Sequence, residues 1–139
     1  MDTVQGTDLA AIIFSTEEQS SPISAHATED ILAEKYESIF RHGIRASKAT
    51  DFYTLHTLYH LHNARVDLEY LRTAVLHTAE HHNSLANIRS WKPRLIEMRE
   101  EPPLYHLWKS FVADNSFAGT VPFSDVLDTV EQLAADLDL

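Results

Sequence analysis

The sequence predicts an all-α fold, a single-domain helical bundle of about five or six helices. Three observations predict it. Apolar residues recur at three- and four-residue spacing through most of the chain after residue 27. No two alternating segments are joined by hairpin-type turn residues, and the chain has only three glycines. Its length, 139 residues, suits one domain that can bury a core without metal or disulfide staples.

The elements follow in order. Residues 1–27 form a loosely ordered N-terminal segment, in which "DLAAIIF" is a short helix or strand and "STEEQSSPIS" a loop. The helical domain spans residues 28–139. Thr28 is the N-cap of its first helix, with Glu29 and Asp30 at the positive end of the dipole. Ile31, Leu32, Tyr36, Ile39 and Phe40 make its apolar stripe, and Gly43 ends it. A long central helix is expected at about 51–85. Leu61, Ala64, Leu68, Leu71, Val75, Ala79 and Ala86 fall on one side of it; Phe52, Leu55, Tyr59, Val66 and Tyr70 fall opposite. A helix apolar on two sides is sandwiched between neighbours or serves as an oligomer contact. Ser90 caps the next helix, with Leu95, Ile96 and Met98 inward, and Pro102-Pro103 end it. Leu104, Leu107, Trp108, Phe111 and Val112 give a short amphipathic helix. An acidic C-terminal helix at about 124–137 carries Val126, Leu127, Val130, Leu133, Ala134 and Leu137 on one side.

Composition excludes several functions. There is no cysteine, hence no disulfide framework, thiolate zinc finger, iron–sulfur cluster or cysteine nucleophile. No apolar run reaches the length of a membrane span, and "LAAIIF" follows acids rather than lysines, unlike a secretory signal. The expected location is cytoplasmic or nuclear, with no membrane partner. Three glycines leave no phosphate-binding loop, and no nucleophile elbow supports Ser-His-Asp catalysis. Charge is uneven. Residues 1–34 hold seven acids and no Lys or Arg; residues 35–100 hold ten Lys/Arg, seven acids and seven of the nine histidines; residues 101–139 hold seven acids and one Lys. The net charge of −10 opposes nucleic acid at long range. The densest basic run, "RHGIRASK" at Arg41–Lys48, could contact phosphate, but no basic recognition helix accompanies it.

The histidines invite a metal reading. His56/His60 and His77/His81 are both i, i+4 pairs. On one continuous helix His60 and His77 stand about 25 Å apart, too far for one ion. His77, Glu80 and His81 resemble the H-x-x-E-H motif of inverzincin peptidases, which implies two zinc-binding histidines and a water-activating glutamate. The likeness covers five residues. A third ligand would have to come from Glu97, Glu100, Glu101 or Glu131, none in a matching context. A polar helix face explains the pattern without a metal, and no cofactor is expected. Arg72-x4-His77 resembles the R-x4–6-H motif of HEPN-type ribonucleases. That likeness implies an all-α domain in which Arg72 and His77 line a cleft at a dimer interface and cleave RNA without metal. The two residues lie on nearly opposite sides of their helix, which is poor geometry for one cleft.

The leading expectation is a non-enzymatic protein-interaction module: an adaptor, assembly factor, or small regulatory or viral accessory protein. It would self-associate as a homo-oligomer through the central helix and bind a protein partner of unspecified identity. The partner-binding candidates are Trp91, Tyr105 and Trp108 around the double proline, and Val126, Val130, Leu133 and Leu137 on the terminal amphipathic helix. Each also fits a core position. The alternative is a HEPN-like ribonuclease or nucleic-acid binder using Arg72 and His77.

Overall fold

The computed structural model describes residues 25–62 and 65–139. Among them are seven α-helices and no strand: α1 (Ala27–Ala46), α2 (Ala49–His62), α3 (Leu68–His82), α4 (Leu85–Arg89), α5 (Trp91–Glu100), α6 (Pro102–Asp114) and, after a 3₁₀ turn at Ser116–Ala118, α7 (Phe123–Leu137). This is the all-α bundle that the periodicity implies. The "DLAAIIF" and "STEEQSSPIS" stretches lie outside the described residues.

α1 is the hub. It buries Leu32, Ala33, Tyr36, Ile39 and Phe40 and packs mainly on α3 and α2, with further contacts to α4, α5 and α6. His26 occupies its N-cap position without a side-chain cap bond, so Thr28 lies inside the first turn. The ring of His26 instead stacks on Tyr70, with centroids 3.8 Å apart. Gly43 interrupts α1 with φ 63° and ψ −144°, and one further turn follows the kink. This backbone region is open almost only to glycine. A Cβ at Gly43 would meet no neighbouring atom within 4 Å, so the cost of adding one is conformational. Gly43→Ala should therefore lower unfolding free energy by about 1–2 kcal/mol, read from the urea midpoint.

The single helix expected at about 51–85 is two helices, and this is the main correction to the element plan. α2 ends at His62 and α3 begins after Asp67, whose side chain accepts a hydrogen bond from the Tyr70 backbone N–H at 3.0 Å. That is a true N-cap. Glu29 Oε2 accepts the Asp67 backbone N–H at 2.7 Å and ties the break to α1. The two apolar sides read from the sequence belong to two separately packed helices. α2 buries Phe52, Leu55, Leu58 and Tyr59, and α3 buries Leu71, Val75 and Ala79. Leu61 and Leu68, at the helix ends that flank the break, are 48% and 38% exposed, so the expected stripe does not run through them. α3 ends at Asn83, which adopts a left-handed φ of 57°, and the next N–H, of Ser84, reaches back to Ala79 O at 2.8 Å.

Farther along, α5 turns Leu95 and Met98 inward but leaves Ile96 55% exposed. Pro102 and Pro103 open α6 at its first two positions, where a missing N–H costs nothing. α7 closes the bundle against α2, α3 and α5. It runs in the same direction as α2: Phe123 meets Phe52 edge-on at 5.5 Å, and near its far end Asp136 accepts from Tyr59 Oη at 3.3 Å. Arg99 on α5 bridges to Asp128 and Glu131 on α7 at 2.8 and 2.7 Å. No helix among the described residues is long and apolar enough to cross a membrane.

Candidate functional site

The kinked end of α1, the start of α2 and one face of α3 enclose an open cleft of about 660 Å³, within the size range of small-ligand sites. α1 contributes Asp30, Glu34, Ser38, Arg41 and His42, which share a stripe because they recur every three to four residues. Lys35 joins from beside that stripe. Lys48 and Asp51 come from the α1–α2 connection and the first turn of α2. α3 supplies Tyr70, Thr73, His77, Thr78 and His82. The two ends differ in charge. Asp30 and Glu34 occupy the end near Tyr70, whose Oη donates to Asp30 Oδ1 at 2.9 Å and whose own ionisation is pushed up by that bond. Lys35, Arg41, His42 and Lys48 gather at the other.

A connected network fixes the cationic end. Lys35 Nζ lies 3.4 Å from Asp51 Oδ1, and Ser38 Oγ donates to Asp51 Oδ2 at 3.0 Å. His42 Nδ1 lies 3.0 Å from the Ser38 carbonyl and 3.1 Å from its hydroxyl. Arg41 Nη1 approaches His42 Nε2 at 3.4 Å. Arginine can only donate, so Nε2 is the accepting nitrogen and Nδ1 carries the proton, which it gives to the Ser38 carbonyl. Arg41 Nε in turn donates to Glu37 Oε2 at 2.8 Å, and Ser84 Oγ donates to the same oxygen at 2.6 Å. Glu37 is buried, so it anchors the guanidinium from behind and leaves its outer N–H groups toward the cleft. Lys48 is exposed and has no ion-pair partner among the described residues. The cleft thus presents cationic N–H groups, imidazoles and hydroxyls, a set suited to a phosphate-bearing ligand.

The expected site residues are dispersed. His77 lines this cleft, whereas Arg72 is aimed at the end of α7, where its Nε donates to the Leu137 carbonyl at 3.2 Å. The two do not share a cleft. His77, Glu80 and His81 are all exposed on α3, and no group of three or more His, Cys, Asp or Glu among the described residues could hold a metal ion. Val126, Val130, Leu133 and Leu137 are buried in the chain's own core, so they offer no partner surface. The aromatic trio separates: Trp108 is 3% exposed, Trp91 is half-buried, and Tyr105 is 52% exposed. Within the run Arg41–Lys48, the cleft-lining Arg41, His42 and Lys48 were visible in the sequence as its densest basic stretch. Lys35 and Ser38 come to that run through the helical spacing of α1, and Asp51 through the α1–α2 turn, so none of the three belongs to the basic stretch itself.

Residues 3–129 match the family model described as nucleotidyl transferase AbiEii toxin, type IV TA system. No curated protein and no solved structure matches the chain. The family match overturns the expectation of a non-enzymatic interaction module, and with it the adaptor, regulatory and viral accessory readings. It also displaces the HEPN-like ribonuclease alternative built on Arg72 and His77, because the family is one of nucleotidyl transferase toxins. The match runs along most of the chain, and none of the short motifs read from the sequence signalled it.

Proposed function

The chain belongs to the AbiEii nucleotidyl transferase toxin family, and from that premise we propose that it works in nucleotidyl transfer, with the α1–α3 cleft holding the phosphates of the nucleotide. The observation that carries this reading is the gathering of Lys35, Arg41, His42 and Lys48 in one cleft of a chain whose net charge is −10. In such a transfer an acceptor oxygen attacks the α-phosphorus of a nucleoside triphosphate and pyrophosphate leaves. Cationic side chains lower the cost of the charge on the departing phosphates. Lys48 supplies a mobile point charge for that purpose, while Arg41 offers a fixed fork held by Glu37. Enzymes of this chemistry commonly use magnesium held by one or two carboxylates and the substrate's phosphates. Among the described residues no group of three or more His, Asp or Glu could hold an ion by itself, and Asp51, at the cationic end, is engaged by Lys35 and Ser38. The proposed partner is the antitoxin protein of the toxin–antitoxin pair.

The test is transfer of label from α-phosphate-labelled nucleoside triphosphates, surveyed base by base with magnesium present, alongside equilibrium binding of a non-hydrolysable analogue. We expect Lys48→Glu to weaken analogue binding about tenfold or more. Lys92→Glu, an exposed site outside the cleft, should leave binding unchanged. Equal loss in both variants would remove the cleft from the reading. No transfer from any triphosphate to any acceptor would remove the activity.

A further inference from the structure

The histidine pair of α2 does not reach the cleft. His56 Nδ1 lies 2.7 Å and His60 Nε2 lies 2.9 Å from a single atom, the Thr129 hydroxyl of α7. That hydroxyl also donates to the Asp125 carbonyl at 3.2 Å. Its one proton is therefore spent, and its two lone pairs accept from the two imidazoles. Two ring N–H groups saturate the hydroxyl, a role that a neutral or a charged imidazole fills equally. The rings stand with centroids 4.4 Å apart, and Thr129 itself is buried.

The geometry points to an acid-sensitive latch at the α2–α7 seam, in which His56 and His60 clamp Thr129 together and charge on both rings forces them apart and loosens α7 from the bundle. Two positive rings at this spacing repel each other, and His56 is half-buried, so its charged form is poorly solvated. Burial, followed by the neighbouring His60, holds the His56 pKa below its ordinary 6.5, while Asp125 partly offsets them. α7 faces the pair with Asp125 and Asp128, and Asp136 lies beyond on Tyr59; α2 itself adds Tyr59. The sign follows from linkage. A folded-state pKa below the unfolded one means that the unfolded chain binds the extra proton. The stabilisation from His56 is whole above 6.5 and is lost as pH falls toward the depressed value. α7 carries Val126, Val130, Leu133 and Leu137 in the core, so its release would expose an apolar face in acid.

Hydrogen exchange of the whole chain tests this, with α7 amides compared to α1 amides at about pH 7.5 and about pH 5.5 after correction for intrinsic rates. We expect α7 to lose about tenfold more protection than α1 in acid. Replacing both histidines by glutamine, which keeps an N–H donor but cannot be charged, should abolish that excess loss. Equal losses in α7 and α1, or an unchanged excess in the double variant, would overturn the latch. Should the double variant not fold, imidazole NMR titration of the wild type and of His60→Gln decides instead. His56 should titrate below 6.5 and move upward when His60 is removed. A His56 that titrates at its ordinary value and ignores the change refutes the proposal.

Discussion

Trp108→Ala is expected to lower the free energy of unfolding by about 3–5 kcal/mol, the range for large-to-small changes at a buried aromatic. For a domain of ordinary stability, about 5–15 kcal/mol, that is a large share. Trp108 fills the junction of α2, α6 and α7. Its ring centroid lies 5.4 Å from Phe111, 5.7 Å from Phe123 and 6.5 Å from Tyr53. Its Nε1 donates to the Val121 carbonyl at 3.0 Å, which pins the loop entering α7. Alanine leaves a cavity and removes the donor from that carbonyl. Trp108→Phe should recover most of the packing but not the hydrogen bond, and so cost about 1–2 kcal/mol. Urea unfolding followed by far-UV circular dichroism gives both values. A loss below about 1 kcal/mol for the alanine variant would mean that the junction is not closed as described.

Arg41→Ala should have the second-largest effect, about 2–3 kcal/mol, because it strands a buried carboxylate. Glu37 is 1% exposed and is satisfied at Oε2 by Arg41 and Ser84, while its Oε1 has no hydrogen-bond partner. Removing the cation leaves a charge that the interior cannot solvate. The figure sits below that of a fully buried pair because the Arg41 side chain is 33% exposed. Adding Glu37→Gln to Arg41→Ala should restore part of the loss, since the amide keeps an acceptor for Ser84 without the charge. A double variant no more stable than Arg41→Ala alone would show that the charge is not what destabilises it. The experiment is a double-mutant cycle in urea, run near neutral pH.

The helices that could be read from the sequence are those in which local signals and tertiary packing agree. Leu32, Tyr36, Ile39 and Phe40 recur at helical spacing and all are buried in α1, and α7 repeats this with Val126, Val130, Leu133 and Leu137. The break between α2 and α3 was missed because the apolar period continues across it. Its signal was Asp67, three residues before Tyr70, an N-cap spacing hidden inside what reads as one long stripe. The candidate site was legible only in part. "RHGIRASK" announces phosphate-capable cations, but the run does not reveal that Gly43 kinks the helix within it or that Asp51 returns to meet Ser38. His56 and His60 were recognisable as an i, i+4 pair, yet their target is a hydroxyl 73 and 69 residues away, respectively. No local pattern reports a partner at that separation.

The hub position of α1 also governs the order in which the chain can come apart. α1 packs on α2, α3, α4, α5 and α6, whereas α7 rests mainly on α2, α3 and α5. Detaching α1 dismantles most of the interior together, so the amides of Leu32–Phe40 should exchange only through global opening. Detaching α7 leaves the contacts of α1 with α2 and α3 standing. Such a division makes two cooperative units of unequal strength within one small domain. Within residues 68–139, a protease at low concentration should therefore cut first in the loop before Phe123, at a rate set by the free energy of opening α7 rather than by that of unfolding the whole chain.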